Sequence, residues 1–307
     1  MFVTQPPFCG EDGTLKFNVA GVAGFYSQLA GVLAGLAFAA LIFLVSARLD
    51  AGRARGGADA APDKAAAPLG SAYRMLLSSF LALTCASLGY AVQGGATVSS
   101  GRAATEEVVL AVAFSLAGMM LFYAVVLTLD ATENLSADGP GVGLQVSSFV
   151  RGVLIGIVAP IIIIYTSLGL TDYSDIRYGK DRGLSLLEVV AIVAVVIQVL
   201  VSWVLYPILR KRGFGRERLP IELSGAVARI GWAYLIIVLL AVVTFGVIDA
   251  GASTDPCRTL SPVIPLVAFV TTAASVVFMT GHVIWYGTEP RTRTSETTPP
   301  PSRDAES

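Results

Sequence analysis

The chain has 307 residues, 54% hydrophobic and 14% charged, with a net charge of −1 and a mean hydropathy of +0.71. Soluble domains carry about 25% charged residues, so a chain this apolar reads as a membrane protein. No basic domain is present for nucleic acid; a single histidine excludes bis-histidine haem ligation within the chain, and the one histidine and three cysteines show no spacing workable for a closed zinc site.

The first segment, residues 1–21, is short and polar, with Cys9 in QPPFCGEDG. The first apolar run follows over 22–46. A secretory signal opens on a basic region, but here Glu11 and Asp12 precede the run, and the run is too long for a signal core. It is read as a true span. Its GVLAG places Gly31 and Gly35 four apart, a spacing that lets helix backbones approach closely. Residues 51–70, rich in Ala, Gly and Pro, read as a flexible loop.

Further spans are predicted over 73–93, 108–129, 147–168, 185–206, 226–248 and 262–286. Each is long enough to cross a ~30 Å hydrocarbon core at ~1.5 Å per residue. In lipid the backbone must satisfy its own hydrogen bonds, so all are helices. Their apolar character does not alternate, which argues against a β-barrel. The fourth span repeats the small-residue spacing at Gly152 and Gly156, and Pro160 interrupts it. Residues 288–307 hold too few apolar residues to fold and read as a disordered tail. The expected architecture is an all-α membrane protein, with a seven-transmembrane helix bundle over 22–287.

Orientation follows from arginine and lysine in the connections. The first and fifth connections and the carboxyl-terminal tail hold thirteen of these residues, including Arg48, Arg53, Arg210, Lys211 and Arg212. The other side holds six: Lys16, Arg102, Arg177, Lys180, Arg182 and Arg258. The richer side is expected to be cytoplasmic, with the amino terminus outside and the carboxyl terminus inside. Cys9 and Cys257, in the sixth connection, then share the outer face, where disulfides persist. A Cys9–Cys257 bridge is expected, with Cys85 left inside the second span.

Arg74, Arg151 and Arg229 begin the second, fourth and sixth spans at the inner leaflet. They are read as anchors to anionic lipid headgroups. Gln28, Glu188 and Asp249 lie toward the outer face and are candidates to ring a vestibule. His282, beside Trp285 and Tyr286, reads as part of an interfacial aromatic belt. No nucleophile and base are set around it, so no catalytic residue is expected. No metal or cofactor is expected either.

The seventh span lacks the Schiff-base lysine of a microbial rhodopsin, and LTLDATEN ends the third without the triplet of a G-protein-coupled receptor. Topology alone is shared with these. The expectation is a non-enzymatic, multi-pass protein of a bacterial plasma membrane, acting as a sensor, regulatory or assembly component. Its partners would be the bilayer, anionic lipids at the inner face, and a second copy or another membrane protein. The alternative is a small-solute transporter or channel subunit, for which Gln198 near the middle of the fifth span and Thr84 and Ser87 in the second are the polar material at hand.

Overall fold

Runs of apolar residues with few breakers become helices here, and among the described residues seven of them are long and apolar enough to cross a membrane. The computed structural model describes residues 20–54, 66–95, 101–133, 142–178, 184–211, 223–250 and 261–286. Cys9, Cys257 and the two terminal tails lie outside the described residues.

The helices are α1 (Ala20–Ala54), α2 (Ala66–Gly94), α3 (Gly101–Glu133), α4, α5, α6 (Leu223–Ala250) and α7 (Val263–Tyr286). Helix α4 runs as Val142–Val153, a π-helical Leu154–Val158, and Ala159–Tyr178. Helix α5 runs as Leu186–Val199, a π-helical Leu200–Leu205, and Tyr206–Lys211. Helix α5 opens on a capping box. Ser185 Oγ accepts from the Glu188 N–H at 3.2 Å, and Glu188 Oε2 accepts from the Ser185 N–H at 2.8 Å.

The loop expected over 51–70 is narrower than its composition suggests. Helix α1 extends to Ala54 and α2 begins at Ala66. Alanine has the highest helix propensity, and Pro68 is tolerated because it falls in the first turn, where its missing N–H has no helical partner to lose. The third span likewise begins earlier than expected, at Arg102 rather than residue 108.

Helix α3 is the hub. Its buried residues fall on every face, among them Val108, Leu110, Ala113, Leu116, Met120, Tyr123 and Ala124. A helix that is apolar all round belongs in the interior. It packs on α2, α4, α6 and α7 and touches α1 lightly. Helix α1 instead presents a narrow seam to α2: Ala23, Ala30, Ala34, Ala37, Leu41 and Leu44 are buried, at alternating three- and four-residue steps within a heptad pattern.

Lipid tails are as apolar as leucine, so close packing and interhelical hydrogen bonds hold such a bundle together. Ser27 Oγ donates to the Ser87 carbonyl at 3.0 Å, and Ser87 Oγ donates back to the Ser27 carbonyl at 2.9 Å, joining α1 to α2. Ser79 Oγ donates to the Ala117 carbonyl, joining α2 to α3. Tyr234 Oη donates to the Ser275 carbonyl at 2.7 Å, joining α6 to α7.

The glycines that let backbones meet are not chiefly those of the GxxxG patterns. A Cβ on Gly31 would lie 3.6 Å from Ser87 Oγ, an ordinary contact, and one on Gly35, Gly152 or Gly156 would meet nothing within 4 Å. The tight crossing is at Gly89, where a Cβ would lie 2.5 Å from Leu110 Cδ2; at Gly231 it would lie 3.4 Å from Met75 Sδ, at the edge of ordinary contact.

Candidate functional site

Polar side chains gather near the two ends of α3. Successive spans run antiparallel, so the start of α3 shares a face of the bundle with the start of α1 and the ends of α2, α4 and α6. This is called the amino-terminal face below.

On that face Arg102 Nη2 pairs with Asp249 Oδ1 at 3.2 Å, and Nη1 donates to the Asp249 carbonyl at 3.2 Å. Arg102 Nε lies 2.8 Å from Glu106 Oε1, an electrostatic contact rather than a hydrogen bond because the N–H does not point along it. Glu106 is buried, its side chain 4% exposed, whereas that of Asp249 is 44% exposed. The guanidinium therefore bridges an interior carboxylate on its own helix to a peripheral one on α6. Nearby in sequence, Gln93 Nε2 donates to the Ala103 carbonyl at 3.1 Å, fixing the end of α2 to the start of α3.

One residue further along α3, Glu107 lines a cavity of about 330 Å3 among α1, α3 and α4. Phe25, Tyr26, Phe114 and Tyr165 supply its aromatic lining, with Ser115 and Thr166 among the remainder. Tyr26 packs with its ring tilted against Tyr90 at 5.3 Å between centroids and against Phe114 at 5.8 Å, which holds that wall in place. A second cavity, about 410 Å3, lies among α3, α6 and α7, with Thr244 and Thr271 set in an otherwise aliphatic lining.

At the opposite end of α3, Tyr123 Oη lies 2.9 Å from His282 Nδ1, and the two rings meet edge to face. His282 also packs on Phe278. The histidine thus turns inward to α3, and the belt expected for it is replaced at this position by a buried tyrosine partner.

The expected vestibule residues are held in separate settings. Gln28 is exposed on α1, Glu188 is occupied in the α5 capping box, and Asp249 in the arginine cluster. Of the three arginines read as lipid anchors, Arg74 and Arg229 are exposed and Arg151 is half-buried. With the span expected from residue 108, Arg102 counts only as an outer-side charge, and Glu106 and Glu107 fall just before the span and carry no expectation. Arg102 and Glu106 are four apart, the spacing of a helical ion pair, and that signal was present in RAATE.

In the interior of α5, Gln198 is fully buried and donates to Ser202 Oγ at 3.0 Å. Among the described residues no group of three or more His, Cys, Asp or Glu is placed to hold a metal ion.

Fold and site together define a polytopic, all-α membrane protein, with seven helices among the described residues long and apolar enough to cross a lipid bilayer. No family model matches the chain, and neither a curated protein nor a solved structure matches it.

Proposed function

We propose that the chain is a non-enzymatic plasma-membrane protein that couples its two faces, as a sensor, regulatory subunit or assembly component. The observation that supports this reading is the placement of polar contacts on α3. One buried helix carries the Arg102–Glu106–Asp249 cluster near one end and the Tyr123–His282 pair near the other. The stretch between is packed with apolar side chains, including Leu110, Ala113, Leu116, Ala117 and Met120. Close-packed interiors transmit strain, so a change of packing at one end is felt at the other. In this reading the amino-terminal face is extracytoplasmic, Arg74, Arg151 and Arg229 grip anionic lipid at the inner face, and the bundle works alone or as a homodimer.

The test is hydrogen exchange on the reconstituted protein with Arg102→Ala. Coupling predicts faster exchange around Tyr123 and His282 as well as at the start of α3. Exchange raised only in the first turns of α3 would defeat the reading.

A transporter reading draws on a different observation: α4 and α5 each contain a π-helical segment within the span, and Gln198 Oε1 is buried without a partner. Transporters bind substrate at broken helices near the midplane. Uptake of small neutral solutes into proteoliposomes, abolished by Gln198→Ala, would favour it over the sensor.

A further inference from the structure

The cavity among α1, α3 and α4 has a composition that selects its occupant. Glu107 is its charged lining residue. Among the described residues its carboxylate has no hydrogen bond and no ion pair, and Asp172 on α4 is near enough for the two charges to repel. A carboxylate within a span normally finds a cation or a wet cavity, because leaving it alone in hydrocarbon is costly. Arg102, the cation nearest in sequence, is committed to Glu106 and Asp249. The occupant that relieves Glu107 is therefore positive.

The walls say what kind of cation. Inorganic divalent ions take about six or more oxygen ligands, which this lining does not offer. Tyr26, Phe114 and Tyr165 offer aromatic rings, which attract organic ammonium groups as well as apolar bodies. About 330 Å3 falls at the small end of ligand pockets. The rim residues Phe25, Tyr165 and Ile161 are exposed on the lipid-facing surface, so entry is sideways from the bilayer.

We propose that this cavity binds a lipid-soluble organic cation, an ammonium on an apolar body, with its charge at Glu107 and its body against Tyr26, Phe114 and Tyr165. The inference does not rest on the sensor reading, since such a site serves a sensor and a transporter alike.

The experiment uses the full chain in phosphatidylglycerol nanodiscs, whose headgroup carries no ammonium, with radiolabelled dodecyltrimethylammonium as probe, matched empty discs subtracted, and uncharged dodecanol as competitor. Saturable binding is expected, displaced by unlabelled cation and not by dodecanol. Glu107→Gln should weaken it by about tenfold or more, the scale of one charge-assisted contact, while Glu188→Gln leaves it unchanged. Equal displacement by dodecanol, or wild-type binding by Glu107→Gln, would overturn the proposal. If Glu107→Gln lowers the unfolding temperature, Ile161→Trp at the rim provides an independent test, because filling the mouth must also abolish binding. Discs containing phosphatidylethanolamine identify the source of the cation. Weaker probe binding there supports a lipid ammonium headgroup as the competing occupant, and unchanged binding supports a free amphiphile.

Discussion

The indole N–H of Trp203 donates to the carbonyl of Gly156 at 3.0 Å, joining the π-helical segment of α5 to that of α4. Both segments precede a proline. Pro160 has no N–H to give to the carbonyl four residues back, which is Gly156, and its ring crowds that carbonyl. The helix answers by widening, so that the Ala159 N–H reaches back five residues to Leu154. The same happens before Pro207, where the Tyr206 N–H bonds to Val201. Trp203 supplies from the neighbouring helix the donor that proline withdrew.

This predicts a coupled pair. Trp203→Phe should lower the stability of the detergent-solubilised protein by about 1 kcal/mol, the scale of interhelical hydrogen bonds in membranes. In a Pro160→Ala background, where the backbone regains a donor, the same substitution should cost much less. Thermal unfolding of the two single variants and the double variant measures the coupling, and strictly additive costs would contradict it.

The arginine cluster makes an asymmetric prediction. Arg102→Ala leaves Glu106 buried without its cation, and removing one partner of a buried pair costs about 3 kcal/mol or more. Asp249→Asn breaks a pair whose acid is 44% exposed, where screening holds the cost to about 0–1 kcal/mol. Adding Glu106→Gln to Arg102→Ala should recover most of the loss, because the stranded charge is then gone. Urea or thermal unfolding separates these outcomes; equal losses for Arg102→Ala and Asp249→Asn would show that Glu106 does not need the arginine.

The number of spans was legible in the sequence because hydropathy alone dictates it: twenty apolar residues in a row leave the chain no other solution in lipid. The ends of the helices were less legible. Hydropathy falls at Glu106 and Glu107, yet the helix continues through them to Gly101, since backbone bonds and the i,i+4 pair with Arg102 do not require apolar side chains. Pro160 is legible as an interruption, but its consequence is not, because the compensating donor sits 47 residues away on another helix. The cavity at Glu107 is a matter of which faces three separate helices turn toward each other, and no local pattern encodes that.

Glycine spacing was also a poor guide to helix contacts, and this gives a third prediction. At Gly89 an added Cβ would press on Leu110, which is fully buried and has little room to move. Gly89→Ala should destabilise by about 1–3 kcal/mol, the usual cost of overpacking. Gly35 faces open space, so Gly35→Ala should be neutral or should stabilise by up to about 1 kcal/mol through helix propensity. If instead Gly35→Ala dissociates a dimer on size exclusion with light scattering, the exposed glycine face of α1 is a contact between two copies of the chain.

The last prediction concerns orientation and uses the native cysteines. Cys85 is half-buried in α2 and carries a free thiol, with Leu83 and Ala86 of the packed core beside it in sequence. A bulky, membrane-impermeant maleimide should not reach it in intact or opened membranes while the bundle is folded. Cys9 and Cys257 are expected to label from outside, and only after reduction, if they form the expected bridge. Mass shifts on intact cells and on opened membranes, with and without reductant, read all three thiols at once. Labelling of Cys9 and Cys257 only once membranes are opened would invert the orientation and place the Glu107 cavity toward the cytoplasm. Labelling of Cys85 in the folded protein would mean that water reaches the middle of the bundle. The paired π segments and Gln198 would then be the place to look for a transport path.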